Sequence, residues 1–322
     1  MKKILYVVDR GCNIQYLDFV LKVMQSKYDI EFDRVGLQEY SKIGMELQKN
    51  YDILIYQTFP HQYHPDKWNG NLIDVTDNIF NSFSGYKIFH DAHDSGSVDS
   101  FSRFNDDTIP RIKCTPTYEF LEKFNVVMCT AQGWFLKDRR YPELVGSNDI
   151  IDYPKSESIY YSVSYGYDPK YADGKVIKGL TQISIREKVR DLLKNYKRVG
   201  TNMEWKNGEE YFNHLTTMLV SICSPGWSEA TFRHLESLLA GCLLLSHDCI
   251  NSIKLLPHVD LIENEDYMSY NLDNLHDKLD YIFNNREEID RIRVNGKKKI
   301  HKGYDIIKSA DKFYNKVLGL YA

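Results

Sequence analysis

The stretch from Ser224 to Ser246, SPGWSEATFRHLESLLAGCLLLS, constrains the fold more than any other, because it reads as a loop, a helix and a buried strand in direct succession. Pro225 and Gly226 end the apolar run LVSIC at Cys223. Ser228 is the expected N-cap, and the helix is predicted to run to Ala240. Gly241 takes the left-handed C-cap position, where a residue without a Cβ is least strained. Cys242 to Leu245 is fully apolar, the pattern of a strand in a parallel sheet covered on both faces. Phe232, Leu235 and Leu239 recur at helical spacing and form the predicted core-facing stripe. Glu229, Arg233 and Glu236 recur at i, i+4 and i+7 on a different face.

That face suits a nucleoside diphosphate. A helix N-terminus offers unpaired N–H groups and the positive end of its dipole to phosphate. Arg233, one turn in, can pair phosphate oxygens through a bidentate fork. Glu236, deeper on the same face, can accept both hydroxyls of a ribose. The same three side chains also fit an exposed ion-pair network of small energetic weight, and spacing alone leaves both readings open.

The segment P-G-x-x-x-x-x-x-R-x-x-E-x-x-x-x-G, residues 225–241, resembles the donor-binding motif of GT-B glycosyltransferases, in particular the group that includes the spore-maturation CgeB-like proteins. The resemblance implies an α/β chain of two Rossmann-like domains facing across a cleft, with a C-terminal helix crossing back to the first domain. It implies a nucleotide-diphosphate sugar as donor, a UDP-sugar foremost, and transfer of the sugar to a hydroxyl acceptor with retention and without a metal or other cofactor. Glu236 falls on the ribose-binding glutamate and Arg233 near the diphosphate. Gly226, Trp227, Ser228 and Glu229 complete the expected donor loop. Six residues lie between Glu229 and Glu236, one fewer than between the paired glutamates of the larger retaining group. Arg186 falls where the CgeB-like group has an arginine near the diphosphate, although a solvated arginine fits the position equally.

A chain of 322 residues suggests two domains. The net charge of −4, with Lys and Arg spread throughout, lacks the footprint of a dedicated nucleic-acid binder. The 24 tyrosines fit the codon bias of an AT-rich genome and also supply phenols for sugar contacts. In MKKILYVVDRG the apolar run ends at Asp9, too short for a signal peptide, so it reads as a first strand. No apolar run reaches membrane-spanning length. Cysteines 12, 114, 129, 223, 242 and 249 form no C-x-x-C pair, and a reducing cytoplasm is the expected compartment.

The first half alternates between the two periodicities. Strands are predicted at Lys3–Val8, Tyr28–Val35 and Asp52–Thr58, with helices at Ile14–Met24 and Glu39–Gln48, the signature of a parallel doubly wound sheet. Ligands of such sheets sit beyond the carboxyl ends of the strands, which singles out Gly11 as a phosphate-side or simple turn residue. His61 and His64 lie in a polar aromatic loop with no ligand cluster around them. After a helix at Leu72–Phe83, the strand in YKIFHDAHDSG runs into His90, Asp91, His93 and Asp94. This resembles the strand-then-His-Asp segment of the GT-B acceptor domain. The resemblance implies that His93 or Asp94, with His90 and Asp91 as further candidates, faces the donor sugar or activates the acceptor hydroxyl. Capping of the strand end, or a metal-dependent hydrolase, would use the same residue types.

Phe124–Thr130 is a further strand, and residues 133–157 read as irregular. SVSYGYDP, Ser162–Pro169, resembles the GT-B interdomain linker. The expected domains are therefore 1–165 on the acceptor side, 166–303 for the donor, and 304–322 as the returning helix, with Ile307, Ala310, Phe313 and Val317 as its apolar face. A strand at Lys175–Gly179, helices at Ile185–Asn195, Gly208–Met218, Leu272–Asn284 and Arg286–Lys298, and a strand end in DLIENE at Asp260–Glu265 complete the second domain. Three acceptors remain open: a glycan, a protein, or a modified DNA base, the last as in a phage-type DNA glycosyltransferase acting on a hydroxylated base. A nucleotide-sugar epimerase or binding protein on the same fold is the alternative of a different class.

Overall fold

Residues 4–8, ILYVV, carry no charge, so a strand built from them must be covered on both faces, and a parallel sheet between helices provides that cover. All five are buried. The computed structural model describes residues 1–8, 15–58, 70–91, 108–130, 152, 154–163, 176–177, 180–198, 201–202, 208–226 and 229–318. The chain divides into two compact units, Met1–Leu136 with Asp305–Ala322, and Lys137–Tyr304.

The first unit follows the predicted alternation: β1 (Lys2–Val8), α1 (Gln15–Lys27), β2 (Ile30–Gly36), α2 (Leu37–Leu47), β3 (Ile53–Thr58), α3 (Gly70–Ser82) and β4 (Tyr86–Asp91). β5 (Arg111–Cys114), α4 (Tyr118–Lys123) and β6 (Val126–Thr130) follow. The strands pair in the order β2-β1-β3-β4-β5-β6 and run parallel throughout. Leu5, Val7, Leu54, Tyr56, Phe80 and Phe89 belong to one core cluster between sheet and helices. α10 (Ile306–Phe313), extended by a wider turn over Tyr314–Leu318, also belongs to this unit. Its Ala310, Phe313 and Val317 are buried as expected, whereas Ile307 is 58% exposed and lies off the buried stripe.

The second unit contains β7 (Ser156–Tyr160), a short antiparallel pair β8 (Val176–Ile177) and β9 (Leu180–Thr181), α5 (Gln182–Asn195), β10 (Thr201–Asn202) and α6 (Gly208–Thr217). β11 (Met218–Cys223), α7 (Phe232–Ala240), β12 (Leu243–His247), β13 (Met268–Tyr270), α8 (Leu275–Asn284) and α9 (Arg286–Gly303) complete it. Its sheet is parallel in the order β10-β7-β11-β12-β13.

Besides Ile307, three further expectations differ from what is observed. The chain enters the second sheet at β7, ahead of the boundary expected at 166, because Ile159 and Tyr160 pair with Val220 and Ser221 at the middle of that sheet. DLIENE forms no strand; the place beside β12 is taken by β13, whose Met268 and Tyr270 are buried. The helix expected to follow an N-cap at Ser228 starts at Phe232, with Thr231 as its N-cap. Thr231 is extended, and its N–H donates to His234 Nδ1 at 2.9 Å, which fixes the helix start there. Glu229 therefore lies ahead of the helix, and only Arg233 and Glu236 share its face.

Candidate functional site

β11 delivers the chain to the carboxyl edge of the second sheet, where ligands of doubly wound folds bind. Just past it, buried Ser224 places Oγ 3.2 Å from the Tyr161 hydroxyl and 3.0 Å from the Tyr270 hydroxyl. Tyr161 follows β7 and Tyr270 ends β13, so one serine ties three strand ends together. Arg186, from the first turns of α5, is only 7% exposed and donates from Nε to the Pro225 carbonyl at 2.8 Å. The Tyr161 hydroxyl donates to the Arg186 carbonyl at 3.0 Å, bracing the same helix. Gly226 is what lets this arginine come close: a Cβ there would lie 3.0 Å from Arg186 Nη2 and 2.7 Å from Thr231 Cγ2.

On α7 the Arg233 guanidinium lies against two phenol rings, 5.4 Å from the centroid of Tyr160 and 5.5 Å from that of Tyr211. Arg233 Nε donates to the Tyr211 hydroxyl at 3.2 Å, and that hydroxyl donates to Glu236 Oε2 at 2.7 Å. Among the described residues no ion pair joins Arg233 to Glu236 directly; the phenol stands between them. Both side chains are half-buried. Burial pushes the Glu236 carboxyl up from the ordinary carboxylate range, against the Arg233 charge and the Tyr211 hydrogen bond, which favour ionisation. Burial also pushes the Tyr211 phenol well up, with the Glu236 carboxylate adding to it, so the phenol stays protonated and donates.

His234, the next residue, is fully buried and has a structural role. A backbone N–H can only donate, so Nδ1 accepts from Thr231 and the ring proton sits on Nε2, 3.0 Å from Ser246 Oγ on β12. Burial holds this imidazole down at about 3, so it is neutral near pH 7.

In the first unit, His90 and Asp91 end β4 inside the sheet. His90 is 0% exposed, with Nδ1 at 2.7 Å from the Tyr6 hydroxyl on β1 and Nε2 without a partner among the described residues. Burial, with the nearby Lys113 charge, holds His90 down at about 3. Asp91 pairs with Lys113 of β5 at 3.0 Å, both almost wholly buried.

Of the sequence-predicted residues, Arg186 and Gly226 meet at the loop after β11, and Arg233 and Glu236 share one face of α7 through Tyr211. Glu229 is 7% exposed and lies in the segment between Gly226 and α7. Gly11, His61, His64, His93, Asp94, Trp227 and Ser228 lie outside the described residues. Sequence reasoning missed Tyr160, Tyr161 and Tyr211, three of many tyrosines with no local motif to mark them. Their one available signal is position, at a strand end or in the first turn of a helix leading into β11. Among the described residues no group of three or more His, Cys, Asp and Glu side chains could hold a metal ion, and no helix is long and apolar enough to cross a membrane.

No family model and no curated protein matches the chain. Solved structures do. HepE from Anabaena, in complex with UDP-glucose, matches with TM-score 0.53 at 10% identity over 99% of this chain and 100% of that one. Sucrose-phosphate synthase from Thermosynechococcus elongatus matches with TM-score 0.57 at 10% identity over 99% and 100%. An alpha-glucosyltransferase, in complex with UDP-glucose and DNA containing an abasic site, matches with TM-score 0.52 at 12% identity over 98% and 99%. At such identities the likeness speaks of architecture. With its two parallel α/β sheets and the last helix packed in the first unit, the chain has the fold of the GT-B glycosyltransferases.

Proposed function

We propose that the chain is a glycosyltransferase that moves a sugar from a nucleotide-diphosphate donor, a UDP-sugar foremost, to a hydroxyl acceptor, and that it stands nearest the CgeB-like group. One observation carries this reading. Two arginines from separate elements stand past the end of β11, Arg186 against the Gly226 loop and Arg233 on α7, the helix that follows the loop, with the Glu236 carboxylate one turn behind. Cations at that edge complement a diphosphate both when it binds and when it leaves, and the leaving group gains more charge than the bound donor carries. Glu236 then accepts the ribose hydroxyls. His93 or Asp94 acts at the reacting sugar or the acceptor, with His90 and Asp91 of β4 as the further candidates. Arginines and the α7 N-terminus fill the place that a metal takes in other transferases. Transfer proceeds with retention.

The resemblance of fold to proteins solved with UDP and UDP-glucose supports UDP as the nucleotide. A second reading, transfer to a hydroxylated base in DNA, draws on the fold neighbour solved with DNA.

The deciding experiment is a thermal-shift panel of UDP, GDP, ADP, CMP and dTDP and their common sugars, with and without EDTA. A rise for one diphosphate that EDTA leaves intact is expected. Glu236→Ala should abolish that response while keeping the ligand-free melting temperature. An unchanged nucleotide affinity in that variant overturns the ribose assignment. NMR of the product's anomeric proton reads retention, and glycan against hydroxymethylated-DNA acceptors separates the two readings.

A further inference from the structure

We propose that Tyr211 is a positioning residue of the donor site, a spacer that holds Arg233 and Glu236 apart so that one serves the diphosphate and the other the ribose; this rests on the donor-site reading above. On one helix face, three residues apart, an arginine and a glutamate ordinarily close into an ion pair. Such a pair would spend on itself the charge meant for the ligand. Here the phenol intercepts it: Arg233 Nε donates to Tyr211, and Tyr211 donates to Glu236 Oε2. Each polar group is thereby satisfied on one side only. The guanidinium, engaged through Nε, keeps its Nη donors for phosphate oxygens, and the carboxylate, engaged through Oε2, keeps Oε1 for a hydroxyl donor.

The ring does a second task. Tyr160 and Tyr211 both lie against the guanidinium, fixing its plane and lowering the ordering cost when a ligand arrives. The chain Arg233 to Tyr211 to Glu236 is also polarised in one direction, so the cation strengthens the phenol as a donor to the carboxylate. That donor favours the ionised carboxylate, against the burial that pushes it toward protonation.

The test is Tyr211→Phe, which keeps the ring and removes the hydroxyl. Binding is measured by calorimetry with UDP, GDP and ADP, using whichever the wild-type chain binds. The expected result is at least a tenfold loss of affinity with an apparent melting temperature close to wild type. The acid limb of the affinity–pH profile should move to higher pH, because Glu236 loses a bond that favoured its charged form. In a Glu236→Gln background the same substitution should cost much less, since the partner it positions is already gone. A Tyr211→Phe chain that binds as wild type overturns the spacer role, as does an equal loss in both backgrounds. Silence of the wild-type chain toward all three nucleotides overturns the donor-site reading itself, and the spacer role with it.

Discussion

Arg186 owes its place to an atom that is missing. Gly226→Ala would set a Cβ against Arg186 Nη2 and Thr231 Cγ2, and neither neighbour has an easy retreat, because Arg186 is tied to Pro225 and Thr231 starts α7. About a tenfold loss of nucleotide affinity is expected from the displaced arginine, on the scale of ~1.4 kcal/mol for one charged hydrogen bond; titration with UDP checks it, and unchanged affinity would place Arg186 outside the site. The buried histidines carry a second prediction. His90 and His234 are held by burial at about 3, from an ordinary value of 6.5. Below that ordinary value the unfolded chain takes up protons that the folded chain refuses, so stability falls as pH drops from 6.5 toward 3. The slope is ~1.4 kcal/mol per pH unit for each histidine. Melting temperatures recorded from pH 7 to pH 4 should fall along that course, and His90→Asn should flatten it. At this scale the sequence was legible where chemistry and spacing coincide: Arg233 and Glu236 stand one turn apart, and Gly241 has φ 71°. It was misleading at Glu229, because Thr231 and His234 start the helix later than the charge periodicity implied. Tyr211 was invisible, since its meaning comes from residues 22 and 25 positions away.

Among the elements, α7 is fixed at both ends. Its N-terminal turn is closed by His234, which also reaches Ser246 on β12. At the other end Lys155 Nζ donates to the carbonyls of Thr216 and Ala240, the closing turns of α6 and α7, at 2.5 and 2.7 Å. One cation thus serves the negative ends of two helix dipoles. Arg293 of α9 adds a bond to the Gly241 carbonyl at 3.3 Å and pairs with Asp152. Lys155→Met keeps the length of the side chain but leaves both carbonyls without their donor. It should destabilise the second unit by ~2–4 kcal/mol, from the loss of hydrogen bonds to a charged group, and a melting temperature within a degree of wild type would refute that. Long elements with a clean period, such as β1, α1, α8 and β11, were readable because burial and pattern coincide in them. The short strands were not. β5 reads RIKC, which suggests surface, yet Arg111 lies over the Phe89 and Phe124 rings and Lys113 pairs with Asp91 inside the sheet. β13 has three residues, fewer than any periodicity needs to declare itself.

For the molecule as a whole, α10 matters most. It packs in the first unit although the chain up to Tyr304 belongs to the second. The Tyr16 hydroxyl meets Ser309 Oγ at 2.7 Å in a buried contact, and Tyr28 stacks on Tyr314 at 3.8 Å. The exposed Lys27–Asp311 pair adds little by comparison. Phe313, wholly buried, should cost ~3–5 kcal/mol on truncation to alanine. The loss should appear in the first unit, so hydrogen exchange of α1 and β1 amides should rise while β11 and β12 stay protected; equal rises in both would show that the helix does not belong to one unit alone. The return of the chain to its first sheet was expected from resemblance, while the exposed Ile307 shows that the apolar face sits in a phase the letters alone did not reveal. This discontinuity also sets an order of events on the ribosome. Translation delivers Lys137–Tyr304 in full before it delivers the segment that closes the unit begun at Met1. The later-made unit is therefore free to mature first, and the earlier-made one waits with α1 uncovered, a period in which a nascent-chain chaperone has a surface to hold.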